Sequence, residues 1–286
     1  MPNDRLGRAP ARADRPRPPS PAGSLMPNPI AYAALLLWPL ASMALFRALG
    51  PTRGLIASLI GAYLLLPPVQ ANFDLPILPP LNRDTIPSLT ALAICLWIRP
   101  PGLQLLPASR TARLLLAALL VGPVLTILTN VEPVFWGSVV VPGLRLLEVG
   151  SLILSQLAMI APFLLARALL AGEAEQRDLL WGFLVATLAY TLPMLVEVRL
   201  SPQLNTWVYG FFQHDFAQMM RGDGFRPIVF LYHGLWVALL AATAVLAACA
   251  LLRTTREVRG AVRLALIGLW VLGVLVLCKS LGSLVL

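Results

Sequence analysis

The stretch "PIVFLYHGLWVALLAATAVLAACALL", residues 227–252, contains no acidic residue, lysine or arginine. A helix rises about 1.5 Å per residue, so crossing roughly 30 Å of hydrocarbon takes about 20 apolar residues. The stretch is long enough to span. Its apolar residues run continuously instead of alternating, which predicts a membrane α-helix and argues against a strand of a β-barrel. Further apolar runs lie at 29–46, 54–69, 85–98, 111–130, 148–170 and 179–197 before it, and at 262–286 after it. The whole chain is 58% hydrophobic and 12% charged, with a mean hydropathy of +0.79, outside the range of soluble globular domains. The expected fold is an all-α, polytopic membrane helical bundle of about eight spans.

The second and third spans are weak. Between them "LLLPPVQANFDLPILPPLNRD", residues 64–84, carries five prolines, which break helices, so these spans are expected to be short, broken or re-entrant. Residues 1–25 hold five arginines and many prolines and no apolar core of a signal peptide, so they read as a disordered tail. Translation starting at Met26 would remove this tail, leaving 26–286 as the transmembrane domain. That domain reads as cut short at its C-terminus, where "VLVLCKSLGSLVL" ends inside an apolar run.

The connectors set the topology, because basic residues stay on the cytoplasmic side. Arg47 and Arg53, then Arg99, Arg110 and Arg113, then Arg167 and Arg177, then Arg253, Arg256, Arg259 and Arg263 fall in alternate connectors. Those are expected in the cytoplasm. The opposite loops hold Arg83, Arg145 and the group Arg199, Arg221 and Arg226. The loop between spans six and seven is therefore expected to be extracytoplasmic, in a multi-pass protein of the bacterial inner membrane. The 22 Lys and Arg residues against 13 Asp and Glu lie in short connectors, not one stripe, so they mark topology and not a nucleic-acid partner. Cys95, Cys249 and Cys278 lie inside apolar runs and suggest neither a disulfide framework nor a metal site.

That sixth loop concentrates the costly polar residues. It holds Glu197, Arg199, His214, Asp215, Arg221, Asp223 and Arg226, with His233 just beyond, and these two histidines are the only ones in the chain. Trp207, Tyr209, Phe211, Phe212 and Phe216 are expected to seat it at the membrane interface. An interfacial helix over 203–220 would put His214, Gln218 and Arg221 on one face. A helix opening at Pro227 would make Arg226 its N-terminal neighbour, with His233 two turns on, about 10 Å along the axis. Arg226, His233 and His214 are the candidate catalytic residues, and Arg221, Arg199, Trp207 and Tyr209 the candidate substrate-binding ones. Each also has a plain structural role open to it. The arginines suit anchors for lipid phosphate, His233 suits a buried hydrogen bond, and the aromatics suit an interfacial belt. Lys279, the only lysine, either snorkels or faces a polar interior. Arg145 and Glu148 suit a local ion pair.

At "EVRLSPQLNTWVYGFF" and "RGDGFRPIVFLYHGLWVALL" the chain resembles the O-antigen polymerase and O-antigen ligase family of bacterial polysaccharide enzymes. The matching pattern is Arg226, Phe230, His233 and Gly234, and the resemblance extends best over 179–286. Two features depart from it: the chain ends where a large extracytoplasmic loop and final spans would follow, and "CKSLGS" stands where a Ser-Arg pair is common. The resemblance implies a transferase that moves a glycan from a polyprenyl diphosphate to a hydroxyl, with membrane lipid around it and no cofactor. Arginine suits that chemistry because it binds phosphate oxygens bidentately while charge builds on the leaving diphosphate. A histidine or carboxylate would take the proton of the attacking hydroxyl. This chain alone is then expected to be an inactive fragment. A transporter or flippase-like protein and a non-catalytic membrane subunit remain alternatives. Neither a HExxH pair nor a P-loop, nucleophile elbow or GxGxxG after a strand is present, which argues against zinc, nucleotide, soluble-type hydrolase and dinucleotide chemistry.

Overall fold

A computed structural model describes residues 26–286 except 69, 77, 138, 222, 223, 281 and 284–286. The tail at 1–25 lies outside the described residues, as does Asp223. The protein is an all-α membrane helical bundle. Its helices are α1 (Pro29–Leu65), α2 (Thr85–Ile98), α3 (Arg110–Thr129), α4 (Glu148–Leu169), α5 (Glu173–Leu200), α6 (Leu204–Tyr209), α7 (Gly234–Thr254) and α8 (Val258–Leu277). Two short hairpins, β1 (Val134–Trp136) with β2 (Val139–Val141) and β3 (Met220–Arg221) with β4 (Gly224–Phe225), complete it. Six of the helices are long and apolar enough to cross a membrane.

The first of them does so twice. Gly50 leaves the helix at φ +79°, and the Ser42 and Ser58 hydroxyls then meet at 2.8 Å. In a straight helix these residues would stand about 24 Å apart, so α1 folds back on itself as two antiparallel limbs. The expected spans 29–46 and 54–69 are these limbs. Helix α2 has 14 residues and reaches only about 21 Å, as the prolines before it foretell. The described residues of 66–84 are irregular and include a bridge between Phe73 and Leu81.

The largest core packs the second limb of α1 with α5, α7 and α8. Ala238, Ala241 and Ala244 of α7 are fully buried there, because small side chains let helices approach closely where lipid offers no hydrophobic drive to associate. A second cluster joins the α1 turn to α2 and α4. Helix α3 is peripheral: it packs on α4 and buries Ile127 alone among its described residues.

Side-chain contacts sort the connectors onto two ends. At one, Arg53 pairs with Asp178 at 2.8 Å, and Arg167 donates to the carbonyls of Gln104 and Leu105. This is the arginine-rich end. At the other, Asn28 donates to Val208 C=O at 2.9 Å, Gln70 to Gln213 C=O at 3.1 Å, and Tyr232 to the Asp84 carboxylate at 2.9 Å.

Three local expectations are corrected. The helix expected over 203–220 is the six-residue α6, ended by Gly210 at φ +85°, followed by an irregular segment and a 3-10 turn at Phe216–Met219. His214, Gln218 and Arg221 therefore share no helical face. Helix α7 opens at Gly234 instead of Pro227, with Val229 at φ +56° in the irregular segment before it. Arg145 and Glu148 meet through the Arg145 backbone N–H at 3.3 Å and not through the guanidinium.

Candidate functional site

Residues 226–233 connect the sixth loop to α7 without regular structure, yet Arg226 through Val229 and Leu231 are buried. Backbone N–H and C=O groups removed from water need partners. Here side chains from distant segments supply them. The Glu197 carboxylate, at the end of α5, accepts from Ile228 N–H at 2.8 Å and Val229 N–H at 2.7 Å through one oxygen, and from Leu204 N–H at 3.0 Å through the other. The Tyr190 hydroxyl accepts from Phe230 N–H at 3.0 Å. The Gln213 amide donates to Val229 C=O at 2.8 Å and Leu231 C=O at 3.2 Å. Arg83 donates to Phe230 C=O at 2.6 Å and to Tyr63 C=O, its guanidinium lying 5.6 Å from the Tyr63 ring centre and 4.9 Å from that of Tyr232. These captures explain why no helix starts at Pro227: the Val229, Phe230 and Leu231 carbonyls, which a helix would direct to amides four residues on, are taken by Gln213 and Arg83.

The clamped segment carries a candidate residue at each end. Arg226 is 5% exposed and donates to Cys278 C=O at 3.3 Å and Lys279 C=O at 2.9 Å. It thereby covers the C-terminal end of α8, where helix carbonyls concentrate negative charge. It approaches through Gly234, where a Cβ would lie 2.0 Å from Arg226 Cδ. At the other end, His233 has extended backbone and caps α7, its Nδ1 accepting from Leu235 N–H at 3.0 Å. Its ring meets that of His214 at 4.6 Å, edge to face. His214 in turn accepts from Asp215 N–H through Nδ1 at 2.7 Å. With Nδ1 accepting a backbone N–H in each, the neutral rings carry their proton on Nε2. Burial, then His214, then Arg226 and Arg221 hold the His233 imidazole below its ordinary pKa.

The cluster is completed by exposed side chains. Lys279 donates to Arg221 C=O at 2.7 Å, so Arg221, Arg226, Lys279, His214 and His233 gather at one corner of the loop end. Three fixed cations and two N–H donors stand together there. Among the described residues the one ion pair is Arg53–Asp178, at the opposite end.

The other candidates lie apart from that corner. Arg199 is exposed in the last turn of α5, and Trp207 is exposed on α6. Tyr209 is buried against the Phe230 ring and donates to Leu65 C=O, and burial pushes its hydroxyl up to about 12. It ties the loop to the end of α1. The clamp residues Arg83, Tyr190 and Gln213 were not among the candidates. The only sequence signal for Arg83 was its isolation, as the lone basic residue of its loop. Comparisons with family models, with curated proteins and with solved structures found no match for this chain.

Proposed function

We propose that this protein is a membrane transferase that takes a polyprenyl-diphosphate-linked glycan as donor and a hydroxyl as acceptor, working at the outer face of a bacterial plasma membrane. The observation that supports this most is the gathering of Arg221, Arg226, Lys279, His214 and His233 without an ion-paired carboxylate among the described residues. As the glycosidic bond to the diphosphate breaks, negative charge grows on the departing phosphate oxygens, and placed cations and N–H donors stabilise it. The histidines act as donors in this scheme, because Nδ1 of each already accepts a backbone N–H. The acceptor oxygen forms the new bond to the sugar, the bond to the diphosphate breaks, and the acceptor's proton passes to water at the membrane surface.

The test uses purified protein in nanodiscs with undecaprenyl diphosphate as probe, followed by a transfer assay with the glycan-loaded lipid. Arg221→Gln combined with Lys279→Gln should weaken diphosphate binding about tenfold, the loss of roughly 1.4 kcal/mol, and lower product in step. Unchanged binding in this variant, or movement of the lipid with no covalent product, would overturn the transferase. Orientation is checked with a cysteine at the exposed Gln218. An impermeant maleimide should label it from outside intact cells.

A further inference from the structure

The connector from α2 to α3, residues 99–109, lies at the arginine-rich end and is unbalanced in its hydrogen bonds. Its carbonyls are occupied. Arg167 donates to those of Gln104 and Leu105, and Arg113 to those of Pro107 and Ala108 at 2.9 and 2.8 Å. The N–H groups of Gln104, Leu105 and Leu106, by contrast, make no hydrogen bond among the described residues. A segment whose acceptors are taken and whose donors are open suits an anion.

Side chains push the same way. Between Asp84 and Glu132 the sequence has no acidic residue, while Arg99, Arg110 and Arg113 fall there. Arg167 is in the last turn of α4, a helix length away from Glu148. Glu173 and Glu175 open α5, and neither pairs with these arginines among the described residues. Arg113 and Arg167 are spent on carbonyls, but the Arg99 guanidinium is exposed and has no hydrogen bond or ion pair among them. Arg99 also ends α2 at φ +48°, in the left-handed region that favours glycine. An arginine held there costs stability that a glycine would keep.

The connector and the end of α2 enclose a hollow of about 870 Å³, with Leu96, Arg99, Gly102, Gln104 and Leu106 among its walls. Leu103 and Leu105 pack onto the cluster that joins α1, α2 and α4, which seats the connector. Leu96 and Leu106 stay 50% and 67% exposed. Trp97 and Ile98 are exposed as well, so the last turn of α2 presents hydrocarbon immediately before Arg99.

We propose that this hollow binds the headgroup of an anionic phospholipid, with its phosphate on Arg99 and the open N–H groups of 104–106 and its acyl chains against Leu96 and Leu106. The apolar wall selects a lipid over a soluble phosphate. The missing carboxylate selects an anionic head, because a choline cation would meet arginine with no counter-charge from 85–131. This site is independent of the function proposed above, which concerns the opposite end of the bundle.

The experiment uses the full chain in phosphatidylcholine nanodiscs containing photoactivatable phosphatidylglycerol or phosphatidylcholine, each with the reactive group high on one acyl chain. Phosphatidylglycerol should label residues 96–108 about fivefold more than phosphatidylcholine, the effect of roughly one arginine at a membrane surface. Arg99→Gln should remove that preference, whereas Arg256→Gln, at another exposed arginine in the connector between α7 and α8, should keep it. Arg99→Gly should lose the preference and yet unfold at a higher temperature in phosphatidylcholine alone, since glycine accepts the left-handed backbone. Equal labelling by the two lipids, or an undiminished preference in Arg99→Gln, would overturn the site. Equal loss in Arg99→Gln and Arg256→Gln would also overturn it, assigning the binding to the basic end as a whole. Displacement of the label by millimolar inorganic phosphate would overturn the lipid as occupant in favour of a soluble anion.

Discussion

Two connectors at the same end of the bundle solve one problem in opposite ways. The hairpin of β1 and β2, between α3 and α4, pairs Val134 with Val141 and Trp136 with Val139, so its inner backbone groups satisfy one another. It needs no help from elsewhere, and its apolar side chains stay outside, with Phe135 at 71% and Trp136 at 84% exposure. Between two membrane helices, those rings suit the interface. Residues 226–233 have no such ladder. They are buried without regular structure, and Glu197, Tyr190, Gln213 and Arg83 must complete their hydrogen bonds. A connector that satisfies itself is free to vary, whereas one completed by others is fixed by residues far away in sequence.

The contrast can be broken most severely at Glu197. Glu197→Ala leaves two buried N–H groups, Ile228 and Val229, and the part-buried Leu204 N–H without acceptors, each buried one costing about 1–3 kcal/mol, so the protein should lose several kcal/mol or fail to accumulate. Glu197→Gln should fail too, because its NH₂ would face an N–H donor; thermal unfolding in nanodiscs compares the two. A wild-type midpoint for Glu197→Gln would show that the carboxylate is not what seats the segment. Next comes Arg83→Lys, which keeps the charge but loses the planar fork between two carbonyls and two rings. It should cost about 1–3 kcal/mol, with faster amide exchange at Phe230 and its neighbours.

A smaller effect is expected from pH. His233 binds its proton more weakly in the fold than in the unfolded chain, so its stability contribution is intact above the ordinary imidazole range. It declines as pH falls through that range toward the lower folded value, when protonation also removes the Nδ1 acceptor for Leu235 N–H. His233→Asn, which caps without titrating, should flatten this dependence; an equally steep acid loss in the variant would assign it to another group. The smallest change belongs to the hairpin. Trp136→Ser should move stability by no more than about 0.5 kcal/mol, and a larger drop in the thermal midpoint would show that the hairpin has partners after all.

The spans were legible because burial in lipid demands long apolar runs, and Arg47 and Arg53 marked the place where α1 folds back. The prolines of 64–84 likewise announced irregular chain. The start of α7 was not legible. Pro227 is a good first helical residue, and nothing local reveals that Gln213 and Arg83, 16 and 147 residues earlier, take the Val229 and Phe230 carbonyls such a helix would need for its own amides. At the candidate site, sequence picked out the histidines by rarity and the arginines by position. It placed His214 and His233 on separate helices, whereas the irregular chain between α6 and α7 brings their rings together.

Arg226 covers the end of α8 through Cys278, 52 residues further along the chain. During synthesis the sixth loop is made well before that helix exists, and until it arrives Arg226 has no carbonyls to meet and must keep its water. The corner therefore locks only when the last described helix has crossed the membrane. Final assembly of the corner becomes a report that insertion of α8 has been completed.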